Sequence, residues 1–174
     1  MKNTLLFFMA LLALGACSKK DLGISFRMNY EEEVVIPSSV GINLPFTIQS
    51  PPITTNSESK FSNNNTSANR VSSIRLEEMQ LILDEPSEAD FSFLESIYIL
   101  ISAQGLPDDT IAWQDPVTSN ASVLNLTTTE LNLKPYLVKD EFSLKTITLT
   151  DEFISEDHRI TIKSGFRVEA EIFN

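Results

Sequence analysis

The chain has 174 residues and carries 24 acidic against 13 basic side chains, for a formal net charge of −11. A surface this acidic repels phosphate backbones, so nucleic-acid binding is not expected. Cys17 and His158 are the only cysteine and histidine, which excludes a disulfide framework and a zinc site built from Cys and His. The length suits one domain, and no internal repeat divides the sequence.

The N-terminal residues have the pattern of an export signal. Lys2 supplies a positive charge, and an unbroken apolar run extends from Leu5 to Leu14. A bilayer-spanning helix needs roughly 20 residues, whereas the apolar region of a secretory signal has about 7–15. We therefore predict that residues 1–16 form a signal peptide.

The residues that end this run, Leu14-Gly15-Ala16-Cys17, resemble the lipobox of bacterial lipoproteins. In that family the cysteine thiol is diacylated, the signal is cut before it, and the new amine is usually acylated. The resemblance implies that Cys17 carries lipid and holds the protein on a membrane, since two or three acyl chains anchor stably. Residues 17–23 would then be the lipidated cysteine and its tether, and residues 24–174 one domain. The alternative is an ordinary signal peptide that leaves Cys17 as an incidental thiol.

Alternating apolar residues predict strands in the first half of the domain. The predicted strands are Ile24–Tyr30, Val34–Ile36, Ile42–Ile48 and Ile74–Leu83. The alternation in the last of these slips at Glu77-Glu78, which indicates a β-bulge; an amphipathic helix is the alternative reading. The polar segment Thr55–Arg70 is either a loop or begins with a short helix at Ser57, capped by Asn56 or Ser57.

The second half is also rich in strand patterns. Phe91–Leu94 suggests a helical turn, and the segment Ser96–Ser102 is apolar at nearly every position, as in a central strand covered on both faces. A helical or irregular turn over Thr129–Lys134 is predicted to end near Pro135. Further strands are predicted at Thr110–Trp113, Val123–Leu126, Phe142–Thr150, Arg159–Lys163 and Gly165–Phe173. Together these elements predict an all-β, antiparallel β-sandwich with Greek-key, immunoglobulin-like connections and one or two short helices.

One stretch of the domain resembles known envelope proteins. The segments VSSIRLEEMQLIL, ADFSFLESIYILISA and LPDDTIAW, between Val71 and Trp113, are similar to small uncharacterised β-sandwich lipoproteins of the Bacteroidetes type. The resemblance implies an outer-membrane destination and brings no catalytic residue with it. Ser18 is not the aspartate that retains some lipoproteins at the inner membrane. Surface-exported relatives often have acidic residues just after the cysteine, and the sequence Ser18-Lys19-Lys20-Asp21 departs from that pattern. Both a periplasmic and a surface-facing position therefore stay open.

Two sets of residues are candidates for ligand binding. Trp113 and Tyr98 could form a platform on which a sugar stacks, although a single tryptophan in a sandwich is more often part of the core. Asp108, Asp109 and Asp115 could help hold Ca²⁺, which prefers six to eight oxygen ligands. Their spacing matches no EF-hand loop, and aspartates are also common turn formers.

The remaining polar motifs favour no enzyme. His158 could belong to an acid–base or metal pair, but its acidic neighbours predict a solvated turn residue between two strands. Glu31, Glu32 and Glu33 could help bind a metal or keep an edge strand from pairing with neighbours. No nucleophile motif of the G-x-S-x-G type and no phosphate-binding loop occurs.

The sequence therefore predicts a lipid-anchored envelope lipoprotein that is not an enzyme. Its expected role is binding or structural, and its expected partners are the membrane, through Cys17, and an envelope protein or a glycan. The alternative function is a carbohydrate- or calcium-binding module of a surface nutrient-uptake system.

Overall fold

The structure is a computed structural model that describes residues 23–38, 41 and 43–172. The predicted signal peptide, Cys17 and nearly all of the tether therefore lie outside the described residues, as does Ile42.

Ten strands and three short helices make up the described part of the chain. The strands are β1 (Gly23–Ile36), β2 (Phe46–Gln49), β3 (Ile53–Thr54), β4 (Val71–Glu85), β5 (Leu94–Ser102), β6 (Asp109–Gln114), β7 (Val123–Asn125), β8 (Thr127–Thr128), β9 (Glu141–Thr150) and β10 (His158–Glu171). The helices are α1 (Ser57–Asn63), a 3₁₀ turn (Phe91–Phe93) and α2 (Lys134–Leu137).

The strands form two antiparallel sheets that pack against each other. The first sheet has the order β1-β10-β4-β7, and the second has the order β2-β9-β5-β6-β8, with β3 beside β9. Strands from the first half of the chain pair with strands from the second half in reverse order: β1 with β10, β2 with β9, β4 with β7, and β5 with β6. The predicted all-β sandwich is confirmed. Its strand order is that of a jelly roll, which contains two Greek keys, and differs from the immunoglobulin order.

The core lies between the sheets and is built by alternating residues. In β9 every second side chain from Phe142 to Thr150 is buried, as predicted from the alternation. Tyr30, Phe142 and Phe166 form an aromatic cluster, with ring centroids 5.2 to 6.2 Å apart and edges set against faces. Such edge-to-face pairs add stability beyond the apolar area that they bury.

Strands β1 and β10 each run through a segment where the sequence pattern had predicted two separate strands. β1 continues through Glu31–Glu33, and β10 continues through Ser164, so that all 14 residues of β1 pair with β10. The prediction of two shorter strands in each place was wrong. Glu31 and Glu33 point to solvent from this strand, so an acidic run does not interrupt it.

The predicted bulge in β4 is confirmed. Glu78 lies opposite Gly165, and Leu76 lies opposite Phe166, so Glu77 is the extra residue. The alternative of an amphipathic helix over this segment is wrong, because β4 is a strand between β10 and β7. The bulge lets Leu76 and Met79 both point into the core.

Helical turns occur at two of the three predicted places, at Ser57 and at Phe91–Phe93. The segment predicted as a helical or irregular turn over Thr129–Lys134 is irregular up to Leu133, and α2 starts only at Lys134. α1 starts at Ser57, but Asn56 has a left-handed backbone (φ 50°) and makes no side-chain capping hydrogen bond, so the predicted cap is wrong. Pro135 lies within the first turn of α2 instead of ending a turn. Proline fits that position because the first backbone N–H groups of a helix have no partner within it.

Candidate functional site

Tyr98 and Trp113 lie side by side on the outer face of the larger sheet. They are direct cross-strand partners on β5 and β6, and both are half-buried. Ile97 and Ile99, the neighbours of Tyr98, are buried, so Tyr98 points away from the core. Ile147 of β9 lies on the other side of Tyr98. The three side chains form an apolar row across the outer face of this sheet, which we call the Tyr98–Trp113 face.

Asp115 is attached to this face by a hydrogen bond. The Tyr98 hydroxyl donates to Asp115 Oδ2, and this bond raises the pKa of Tyr98. Asp115 follows the last residue of β6, so it lies at one end of the pair. The carboxylate thereby holds the tyrosine ring in place beside Trp113 and leaves other carboxylate lone pairs for further donors.

The other two candidate aspartates lie at the opposite end of β6. Lys145 Nζ forms an ion pair with Asp108, and its hydrogen bond holds the pKa of Asp108 below the usual range. Asp109 accepts a hydrogen bond of 2.6 Å from the Tyr136 hydroxyl. Burial, and then Asp109, raise the pKa of Tyr136 to about 12.

The structure does not bring the three aspartates together. Asp109 is the first residue of β6 and Asp115 follows its end, a separation of ~20 Å along an extended strand. Across the described ranges, no group of three or more His, Cys, Asp or Glu residues is arranged to hold a metal ion. The carboxylates of Asp108, Asp109 and Asp115 instead stabilise three different neighbours.

His158 is part of the core, which corrects the prediction of a solvated turn residue. It is the first residue of β10 and only 7% exposed. Its ring centroid lies 4.5 Å from that of Phe93, and Nδ1 donates to the Glu156 carbonyl oxygen at 2.9 Å. The acidic neighbours Glu156 and Asp157 suggested solvation, but the strand alternation places the histidine inward.

A polar cleft lies on the outer face of the smaller sheet. It has a volume of about 510 Å³, and the side chains that form its walls are polar or charged: Asn29, Glu31, Glu78, Gln80, Asn125 and Lys163. Gly165 lies between Asn29 and Glu78 in the sheet. A Cβ atom there would come within 2.9 Å of the Glu78 side chain, so a glycine is what lets Glu78 fold over this position.

Sequence reasoning missed this cleft because its residues come from β1, β4, β7 and β10. Two local signals were nevertheless available. A glycine inside a strand often marks the close approach of a neighbouring group, and a bulge often redirects a side chain. The missing information was that Gly165 and the Glu77-Glu78 bulge are opposite each other, which depends on a long-range pairing.

The charges around the cleft are largely paired with one another. Arg27 contacts Glu77 at 2.6 Å and Glu78 at 3.2 Å, and Arg167 also bonds to Glu77. The hydrogen bond from Arg167 is the main reason why the pKa of Glu77 is lowered. Lys163 lies 3.6 Å from Glu31. This face therefore carries many charges but little uncompensated charge near its centre.

In the part of the chain that the structure describes, no helix is long and apolar enough to cross a membrane. Two large apolar side chains are nevertheless well exposed: Leu44 before β2, and Phe153 in the loop between β9 and β10, with 64% and 70% of their surfaces accessible.

The described residues thus define an antiparallel β-sandwich of jelly-roll order with an aromatic outer face on one sheet and a polar cleft on the other. No protein-family model matches the chain, and no curated protein matches it significantly. Among solved structures, a chain from Desmodium yellow mottle tymovirus is similar at 5% identity, with 86% of this chain and 91% of that chain covered and a TM-score of 0.27. A superposition this weak carries no argument about fold or function.

Proposed function

We propose that this chain is the precursor of a bacterial lipoprotein that is anchored by lipid on Cys17 and has a binding or structural role in the cell envelope. The observation that carries the proposal is the sequence Leu14-Gly15-Ala16-Cys17 at the end of a short apolar run. Among the described residues the first strand begins at Gly23, six positions after Cys17. Six residues span at most ~20 Å, which would hold the domain close to its membrane.

A non-catalytic role agrees with how the polar side chains of the domain are used. His158 is buried against Phe93, and Asp108, Asp109 and Asp115 are each bonded to another side chain of the domain. The imidazole therefore faces the core, and each carboxylate stabilises a neighbouring side chain.

Metabolic labelling with a palmitate analogue tests the anchor. The wild-type chain, expressed in a bacterial host, is expected to incorporate label and to sediment with membranes. Cys17→Ser should abolish the label and release the protein, because a single sulfur carries two of the acyl chains. Ser18→Ala is the matched control, since it changes the next residue and should leave the label unchanged. An unlabelled wild type, or a Cys17→Ser variant that stays on membranes, would contradict the proposal.

The location within the envelope is proposed to be the outer membrane, because Ser18 follows the cysteine in place of a retention aspartate. Separation of inner and outer membranes on a density gradient tests this. Protease treatment of intact cells then distinguishes a domain that faces the surface from one that faces the periplasm. Cofractionation with the inner membrane would contradict the proposal.

The Tyr98–Trp113 face favours a second candidate function, the binding of a glycan. Aromatic rings on a sheet surface offer flat apolar areas, and the Asp115 carboxylate beside Tyr98 could accept hydrogen bonds from hydroxyl groups. The candidate role is a carbohydrate-binding module that serves a surface nutrient-uptake system.

Affinity electrophoresis in gels that contain bacterial or plant polysaccharides tests this function. The wild-type chain should be retarded in at least one gel, and Trp113→Ala should lose the retardation while Trp113→Phe keeps most of it. Phe153→Ala is the control, because it removes an exposed aromatic ring from a different part of the surface. Retardation that survives Trp113→Ala would exclude this face as the binding site.

A further inference from the structure

β1 is a long strand at the edge of the smaller sheet. One side pairs with β10 over 14 residues, a length of about 45 Å. Within the described ranges, no strand pairs with its other side. An edge of this length exposes a row of backbone N–H and C=O groups that can template another strand, which most proteins prevent by keeping edge strands short or covered.

The charges on the outward side of β1 divide it into two unlike halves. The N-terminal half carries Arg27 as its only charge, whereas the C-terminal half carries Glu31 and Glu33 on the outer face and Glu32 between them on the opposite face. Two copies of the strand that run antiparallel about a two-fold axis would place the acidic residues of each copy beside Arg27 and the neutral residues of the other copy. A surface that complements itself in this way fits an isologous dimer.

We infer that β1 pairs with β1 of a second copy of this chain, antiparallel and with Asn29 on the two-fold axis. In this register Arg27 lies opposite Glu31 of the other copy, and Ser25 lies opposite Glu33. These side chains project from the same outer face of the sheet, and those of Arg27 and Glu31 are 48% and 64% exposed. The two smaller sheets thereby join into one continuous eight-stranded sheet.

The acidic run selects this register over others. Pairing centred on Glu32 would bring three carboxylates of one copy against three of the other, and like charges directly opposite each other destabilise a strand pair. When the pairing is centred on Asn29, each acidic run lies opposite residues of the other copy that are neutral or basic. Arg27 already contacts Glu77 and Glu78. Because its guanidinium has five N–H donors, it can also donate a hydrogen bond to Glu31 of the other copy.

Cysteine cross-linking tests the register. In the full chain with Cys17→Ser, an Asn29→Cys substitution supplies the only thiol, and copper phenanthroline should convert most of it to a disulfide-linked dimer. Directly opposite residues have Cβ atoms close enough for a disulfide. Glu33→Cys on the same edge is the matched control, because its counterpart on the other copy would be more than about 20 Å away. It should give at least tenfold less dimer.

A charge exchange supplies an independent measurement on the same protein. Glu31→Arg alone places the new arginine opposite Arg27 of the other copy, at both symmetric positions of the dimer. This should raise the dimer dissociation constant, measured by sedimentation equilibrium, about tenfold. The double variant Arg27→Glu, Glu31→Arg restores opposite charges and should recover the dimer to within about threefold of the wild type. Circular dichroism confirms that each variant keeps its strands.

A chain that sediments as a monomer at all concentrations would overturn the inference. So would equal cross-linking through Asn29→Cys and Glu33→Cys, or a disulfide from Asn29→Cys to a different protein. Lipid on Cys17 plays no part in these experiments, so their outcome is separate from that of the labelling test.

Discussion

Thr148 is a residue whose replacement should stabilise the protein. It is 1% exposed, and its hydroxyl has no hydrogen-bond partner among the described residues. Its neighbours across the sheet are Phe46 on β2 and Ile97 on β5, which offer no acceptor from their side chains. Burying a hydroxyl without a partner costs about 1–3 kcal/mol in proteins.

Valine has nearly the same shape as threonine and lacks the hydroxyl. Thr148→Val should therefore raise the free energy of unfolding by about 1 kcal/mol, the lower end of that range, because a methyl group in place of the hydroxyl requires slight repacking. For a domain of this size, such a change corresponds to an increase in melting temperature of about 2–4 °C.

Thr55→Val is the matched control. Thr55 is also 1% exposed, but its hydroxyl donates to the Lys139 carbonyl oxygen at 2.6 Å. The same substitution there removes this part-buried hydrogen bond, and should lower the free energy of unfolding by about 0.5–1.5 kcal/mol. Urea unfolding can be followed by the fluorescence of Trp113, the only tryptophan. The reasoning fails if the two variants lose similar amounts of stability.

Two further changes probe the core and the charged face. Phe166→Ala, at a fully buried site beside Tyr30, should lower the free energy of unfolding by about 3–5 kcal/mol in urea titrations; a loss under ~1 kcal/mol would mean that the aromatic cluster is not tightly packed. Glu77→Gln should lower stability by about 1 kcal/mol at pH 7, because Arg167 and Arg27 favour the charged carboxylate. Since the pKa of Glu77 is lowered in the folded state, its contribution is complete above the unfolded value near ~4.3 and is lost as the pH falls through the lower folded value. The difference in stability between the wild type and Glu77→Gln should thus shrink as the pH falls below ~4.3, and a difference that stays constant with pH would refute the assignment.

The fold class was predictable because it depends on local alternation. The buried positions of β9 and the bulge at Glu77 follow from residues next to each other in sequence. The jelly-roll order was not predictable in this way, because it requires that β1 pair with β10 across almost the whole chain. The same limit explains the missed cleft, whose walls meet only after that pairing forms.

Errors in the local predictions also have physical causes. His158 was expected in solvent because its neighbours are acidic, but period-two alternation in β10 overrides composition and turns the imidazole inward. Glu31–Glu33 was expected to separate two strands, but Glu31 and Glu33 lie on the outer face of an edge strand, where carboxylates stay hydrated and need not interrupt pairing. In both places the direction of the side chain mattered more than the polarity of the segment.

The two outer faces of the sandwich differ in a way that bears on function. The smaller sheet has a charged outer face, on which arginines and glutamates form ion pairs with one another. These charges are partly exposed to solvent and already have partners within the face. The larger sheet has Ile147, Tyr98 and Trp113 in one row. β5 is apolar on both faces, which is typical of a strand that is covered on both sides. Its outer side chains are nevertheless only half-buried. Covering this row with a flat, partly apolar molecule would bury apolar area, which supports the proposal that a glycan binds at the Tyr98–Trp113 face.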